Sequence, residues 1–425
     1  ADSAVMLLDN RKGVEEQTRK LFDVCKLRRT PIFTLVNKCD RPGEDPLKLL
    51  DDVEADLGIA CFPVTWPILE RGEFLGVYDR LAGEVHLFEK GADHGQTRAA
   101  DHVGSLDDPE LRQRVGDAAW ERLTEEVELL AVAGAEFDRD AFLRGEVSPT
   151  FFGSALTNFG IEPFLRTFLR MAPGPVARAS SHGPVEPTDP TFSGFVFKIQ
   201  ANLDPRHRDR IAFLRICSGR YEPGMTVTNV RSEASVRLTQ PQQVFGRERS
   251  ALEEAWPGDV VGIHDRGSLR IGDTLSADGD REYSGIPRFS PEHFARVHVP
   301  DPLRRKHLDT GLRQLSEEGA AQVFYAESIA GPAPIVGAVG PLQFDVLIHR
   351  LDGEYNVEAR LERLPYVAAR WVVGEPDAVE RVAAGYDRQL VFDSRDRPLI
   401  LFKSEWAMRR TLEKEADLEY HSVAP

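Results

Sequence analysis

The stretch Pro31-Ile32-Phe33-Thr34-Leu35-Val36-Asn37-Lys38-Cys39-Asp40 reads as a buried strand that ends in N-K-x-D. An unbroken apolar and β-branched run suits a strand covered on both faces, as in the parallel sheet of an α/β domain. The residues after it have the chemistry to select a base. Guanine offers N–H donors on its Watson–Crick edge where adenine offers an acceptor, so an ionised Asp40 can accept two charge-assisted bonds from guanine and none from adenine. Adenine would leave that carboxylate desolvated and unpaired, which costs more than an ordinary lost hydrogen bond. Asn and Asp are also ordinary turn residues after any strand, so a base site needs a second half elsewhere in the chain.

Val147-Ser148-Pro149-Thr150-Phe151-Phe152-Gly153-Ser154-Ala155-Leu156 supplies that half. Ser154-Ala155-Leu156 reads as an S-A-L loop at another strand end, where a residue as small as Ala155 lets its backbone N–H approach a guanine O6. Ser154 or Thr157 can also cap the helix that follows, and the two roles are compatible. The order strand, N-K-x-D, long intervening stretch, strand, S-A-L and helix from Ile161 to Met171 follows the second half of a P-loop GTPase. The first half is not legible. There is no G-x-x-x-x-G-K-[S/T] and no Gly-Lys pair, so nothing reads as a cradle for β/γ-phosphates or as the hydroxyl on Mg²⁺. D-x-x-G occurs at Asp40, Asp101 and Asp259, none of them after a strand ahead of Asn37. The chain opens on Ala4-Val5-Met6-Leu7-Leu8-Asp9, a strand from mid-domain, and is expected to be truncated.

Composition excludes other classes. A chain of 425 residues with 41% hydrophobic content supports about two to four domains with cores. Apolar runs are short and broken by charge, and no basic-then-apolar leader precedes them, so a cytoplasmic protein with no membrane partner is expected. Cys25, Cys39, Cys61 and Cys217 show no C-x-x-C spacing and read as isolated thiols, with no metal site. A net charge of −16 argues against bulk attachment to nucleic acid and against a DNA partner, although a local basic patch can still dock on RNA.

Three parts are predicted. Residues 1–172 alternate strands and helices, with helices over Val14–Leu27 and after an Asp45 N-cap, and an insert holding a hairpin from Phe74 to Phe88 and a helix from Asp117 to Val132. Residues 173–190 are rich in Pro, Gly and Ser and read as a linker too poor in apolar residues to pack. Residues 191–290 show short strands between turn signals and predict a β-barrel. Residues 291–425 begin with the split β-α-β-β-α-β order of a ferredoxin-like α+β domain; beyond Pro365 only packing on that domain is legible. Arg206, His207, Arg208 and Arg210 form a charged hairpin tip that could meet RNA phosphates, or serve only as a solvated barrel tip.

Further stretches carry a family resemblance. They are Lys12-Gly13-Val14-Glu15, Pro63-Val64-Thr65-Trp66-Pro67-Ile68, Phe192-Ser193-Gly194-Phe195-Val196-Phe197-Lys198-Ile199-Gln200-Ala201-Asn202 and Gln314-Leu315-Ser316-Glu317-Glu318-Gly319-Ala320. With the base motifs, they make the chain resemble the release factor 3 family of bacterial translational GTPases over essentially its whole length. Elongation factor G is similar in its first three domains but carries a G-E-L-H-L-E type sequence where this chain has Gly340-Pro341-Leu342-Gln343-Phe344-Asp345.

The resemblance implies a factor that uses GTP on the ribosome to remove class I release factors after peptide release, with GTP or GDP and Mg²⁺ as cofactors. It implies guanine binding by Asn37, Lys38, Cys39 and Asp40 with Ser154, Ala155 and Leu156, the Lys38 stem lying over the base and ribose. The family's phosphate loop, Mg²⁺ ligands and catalytic His have no counterpart, so this chain is expected not to hydrolyse GTP and to leave Val5-Met6-Leu7-Leu8 as an exposed apolar edge. The alternatives are a nucleotide-independent ribosome-binding module and a GTPase of the elongation factor G type.

Overall fold

The computed structural model describes residues 1–425 apart from 90–99, 134–135, 202–209, 239–241, 246–247, 252, 266, 284–288, 327–332, 416 and 425. The chain divides into two compact units, Ala1–Val176 and Ala177–Pro425.

In the first unit, β1 (Ala4–Asp9), β2 (Ile32–Asn37), β3 (Ala60–Pro63) and β8 (Val147–Phe152) form a parallel sheet in the order β1-β2-β8-β3. The run that opened the sequence reading lies inside it, buried from Ile32 to Val36. Phe33 and Leu35 pack with Phe151 and Phe164 on one face, and Ile32 packs with Leu8, Phe22 and Val53 on the other. A strand lined by apolar residues on both faces needs that double cover. Helices α1 (Glu16–Leu27), α2 (Pro46–Leu57) and α6 (Ile161–Met171) supply part of it. α1 begins two residues later than read, because Gly13 turns at φ +62° and Val14 joins the core ahead of the helix. α2 is punctuated as its sequence dictates: Asp45 accepts from the Lys48 N–H, Pro46 opens the first turn and Gly58 closes the helix at φ +67°. Between β3 and β8 the insert holds a second sheet, β4 (Thr65–Glu70), β5 (Glu73–Asp79), β6 (Glu84–Glu89) and β7 (Ala100–Gly104), with helices α3 (Pro109–Val115), α4 (Asp117–Ala133) and α5 (Arg139–Leu143). Trp66 is fully buried there and donates to Glu126.

The second unit starts with a correction. Part of the expected linker folds as a hairpin, β9 (Arg178–Ser180) and β10 (Gly183–Val185). Few apolar residues suffice because polar contacts hold it: the Arg178 guanidinium lies 4.1 Å over the Phe195 ring, Asp189 pairs with Arg281 at 2.7 Å, and Val185 joins a small cluster with Cys217 and Tyr283. An eight-stranded antiparallel sheet follows, from β11 (Ser193–Ala201) through β12 (Arg210–Ser218), β13 (Thr226–Asn229), β14 (Ala234–Arg237), β15 (Gln242–Phe245), β16 (Glu248–Ala251), β17 (Val260–Asp265) and β18 (Thr274–Ser276). One core gathers Val196, Leu214, Val227, Val261 and Leu275 from strands across it, as a barrel requires.

The last part exceeds the reading. β19 (His293–His298), α7 (Arg305–Glu317), β20 (Gln322–Tyr325), β21 (Ile335–Ala338), α8 (Leu342–Tyr355) and β22 (Arg360–Arg363) make the expected ferredoxin-like order β22-β19-β21-β20. The residues beyond Pro365 repeat it: β23 (Ala368–Val373), α9 (Pro376–Ala383), β24 (Arg388–Asp393), β25 (Pro398–Phe402), α10 (Glu405–Lys414) and β26 (Glu419–His421) lie in the order β24-β25-β23-β26. The two halves join through equivalent strands, β20 against β24. Phe294, Phe324 and Ile335 of one half meet Trp371, Leu399 and Leu401 of the other in a shared core. The second repeat is harder to read from sequence because its helices are short, 8 and 10 residues in α9 and α10 against 13 and 14 in α7 and α8.

Candidate functional site

Both expected base motifs lie at the carboxyl end of the parallel sheet. β2 and β8 pair in register, Val36 beside Phe152, so the loops that leave them start side by side. Backbone bonds then lace the two loops: Gly153 donates to Val36 O at 2.9 Å and Cys39 to Gly153 O at 3.2 Å. Side chains complete the link. Ser154 Oγ donates to Asp40 Oδ1 at 2.5 Å, and the Ala155 N–H donates to Asn37 Oδ1 at 2.9 Å, the same oxygen that accepts the Lys38 N–H at 2.8 Å. The S-A-L loop is closed behind by Ser154 N–H to Phe159 O at 2.8 Å, and Gly160 permits the turn, since at φ +74° a Cβ would sit 2.5 Å from Phe152 O.

The expected roles divide within these motifs. The Asp40 carboxylate keeps capacity for a ligand: Ser154 occupies Oδ1, Arg41 stands 3.7 Å from Oδ2, and the side chain is 17% exposed. A half-filled carboxylate at a loop end fits the donor edge of a guanine. Lys38 and Leu156 are open to solvent. Cys39 is different. Its side chain is buried in the core with Val36 and Phe152, its thiol donates to Val36 O at 3.4 Å, and burial pushes its pKa up to about 12. It packs beneath the loop and faces no ligand. The Ala155 N–H, read as free for a base oxygen, is engaged by Asn37.

Two residues outside the motifs join the site. Asp9 ends β1, Asn10 follows it, and Asp9 lies beside Asn37 in the parallel register. Asp9 Oδ2 is 2.8 Å from Lys38 Nζ; Asn10 Nδ2 donates to Arg41 O at 2.8 Å, and Asn10 O accepts from the Glu44 N–H at 2.9 Å. Strand ends in step are the signal that would have found them, but register is invisible in one sequence.

Of the expected RNA-contact set, only Arg210 falls among the described residues. Arg206, His207 and Arg208 lie outside the described residues. Arg210 is withdrawn from solvent: its side chain is 10% exposed, its Nε stands 2.9 Å from Asp265 Oδ2, a second nitrogen donates to Leu269 O at 2.8 Å, and Glu317 lies 3.7 Å away. A guanidinium this buried, with two of its nitrogens turned toward Asp265, Leu269 O and Glu317, presents little surface to a phosphate. Among the described residues there is no cluster of His, Cys, Asp and Glu that could hold a metal ion, and no helix long and apolar enough to cross a membrane.

Comparison with known proteins gives the class first. Residues 1–174 match the Elongation factor Tu GTP binding domain, residues 191–278 match Elongation factor G domain 2, and residues 283–412 match Class II release factor RF3, C-terminal domain. A GTP-binding domain followed by a translation-factor barrel defines a translational GTPase. Relatives narrow it. Peptide chain release factor 3 of Symbiobacterium thermophilum is 51% identical over 424 residues, covering 100% of this chain and 80% of that protein. The namesakes from Acaryochloris marina and Synechococcus elongatus are 47% and 48% identical over all of this chain and 78% and 76% of their own lengths. The chain belongs to the peptide chain release factor 3 family, the translation-termination GTPases. A protein of solved crystal structure from Thermus thermophilus shares the fold at a TM-score of 0.63 and 24% identity over 86% of this chain and 54% of that one. The present chain therefore spans about half the length of that solved structure.

Proposed function

We propose that this chain reads guanine through Asp40 and acts on the ribosome at termination, where a guanine nucleotide with Mg²⁺ drives the departure of class I release factors after the peptide has been released. The observation that carries the base reading is the pair of side-chain bonds between the loops, Ser154 to Asp40 and Ala155 to Asn37, which hold the one carboxylate able to discriminate guanine in a fixed direction. Asp40 would accept from the guanine N1–H and 2-amino groups, and the aliphatic stem of Lys38 would cover the ring face. The unmatched edge of adenine would leave Asp40 unpaired, which is the source of selectivity. The cell compartment implied is the cytoplasm, where ribosomes terminate translation.

Hydrolysis is a separate matter. No stretch of this chain reads as a phosphate loop, so phosphate release with ribosomes is expected to stay at background; family-like multiple turnover would overturn that expectation. The base reading is tested by saturation-transfer NMR with GDP and ADP in Mg²⁺, a readout that still registers millimolar binding. GDP is expected to bind in preference to ADP, and Asp40→Asn to shift preference toward xanthosine diphosphate, whose 2-oxo group calls for a donor. Equal binding of GDP and ADP would sink the reading.

A further inference from the structure

The end of β1 supplies a side chain that neither base motif contains. β1 and β2 run parallel and stop together, which puts Asp9 next to Asn37 and its carboxylate against Lys38. Asp9 Oδ2 lies 2.8 Å from Lys38 Nζ, while Asp9 Oδ1 accepts the Arg11 N–H at 2.9 Å. That second bond is an Asx-type turn, so the acid is fixed by its own backbone independently of the lysine. Exposure is unequal in a telling way: the Asp9 side chain is 15% exposed and that of Lys38 is 52%. The anchor is sheltered and the lysine stem is open.

Lys38 also has an unusual backbone. It stands at φ +68°, in the left-handed region that a residue with a Cβ seldom occupies unless its surroundings impose it. The surroundings do so at both ends of the residue. Asn37 Oδ1 accepts its N–H at 2.8 Å, and Asp9 holds its ammonium. The lysine hydrogen bond holds the Asp9 carboxyl below its ordinary value.

We propose that Asp9 is a positioning residue of the base site: it ties the Lys38 ammonium to the end of β1, so that the lysine stem lies along the open side of the loop where a base held by Asp40 stacks. An untethered lysine would sample many rotamers and lose that freedom on binding; Asp9 removes the loss in advance. The role rests on the guanine reading above, because a stem held over nothing would position nothing.

The test is a double-mutant cycle on the full chain, read as GDP affinity in Mg²⁺ for the unsubstituted protein, Asp9→Asn, Lys38→Met and the pair together, with thermal unfolding followed alongside. Asp9→Asn is expected to weaken GDP binding about fivefold, the reach of a half-exposed ion pair. Lys38→Met should cost a similar factor, the double variant no more than the worse single one, and added KCl should narrow the gap between the unsubstituted chain and Asp9→Asn. Losses that multiply in the double variant would show two independent effects and overturn the positioning role. So would unchanged affinity in Asp9→Asn while Asp40→Asn still abolishes guanine preference, which spares the guanine reading. Absence of guanine preference in the unsubstituted chain would overturn both.

Discussion

Asn37 serves two loops with one oxygen. Oδ1 accepts the N–H groups of Lys38 and Ala155, residues that belong to different strand ends. Replacing it by Ala removes the acceptor of both bonds and loosens the S-A-L loop from the N-K-x-D loop. Asn37→Ala is therefore expected to lower stability by about 1–2 kcal/mol and to reduce discrimination against ADP, whereas Asn37→Asp, which keeps the acceptor, should hold most of the stability. Chemical denaturation and the GDP-to-ADP preference check the two parts. Cys39, two positions on, illustrates why a motif is not a contact list: the spacing places it in the loop, and burial turns its thiol inward.

At the scale of elements, the edge strand and the helix pair of the first ferredoxin-like repeat carry separate consequences. β1 ends its sheet, and its Val5 and Leu7 side chains are 41% and 59% exposed. An apolar strand with an unpaired edge invites association with other chains. The full chain is expected to elute as concentration-dependent higher species in size-exclusion chromatography, and Leu7→Lys to sharpen the monomer peak with a stability change within about 0.5 kcal/mol. In the helix pair, Glu318 follows α7 with its side chain 3% exposed, and Arg350 of α8 pairs with it at 2.8 Å. Burial raises the Glu318 pKa above its usual 4.5 despite that partner. The sign follows from proton binding: above 4.5 the unfolded chain loses the proton before the folded one, so stability falls as pH rises through the window from 4.5 to the raised value. Arg350→Met should widen that window and cost about 3–5 kcal/mol at pH 7, with part of the loss recovered near pH 5. Urea unfolding at the two pH values measures it.

For the molecule as a whole, Arg210 is the clearest case of a residue whose surroundings decide its role. It joins Asp265 of the barrel to Glu317 of α7 within the second unit, and the Asp265 side chain is fully buried. Arg210→Met would leave Asp265 Oδ2 without its cationic partner, although Oδ1 still accepts from Ser268 and Leu269, and is expected to destabilise the protein by about 3 kcal/mol in denaturant unfolding. The internal repeat has a similar lesson. Two β-α-β-β-α-β units share one eight-stranded sheet through β20 and β24; each has its own helix-covered core, and the alternate strand residues of both form a third, shared one. Each half alone would leave Trp371 or Phe294 uncovered.

Short-range physics let the sequence alone determine the Asp45-Pro46 start and Gly58 stop of α2, the helix from Ile161 to Met171 and the strand-helix order of the first ferredoxin-like repeat, while the class of the protein was legible through family resemblance. Caps, turns and hydrophobic period are set within about ten residues, so they can be read locally. The tertiary structure alone decided which atoms meet. Ser154 and Asp40 are 114 positions apart and Ala155 and Asn37 are 118, and their bonds exist because β2 and β8 pair in one register. The same holds for Asp9 against Lys38 and Arg210 against Asp265: strand register and burial set those pairs, and neither leaves a mark at the positions themselves.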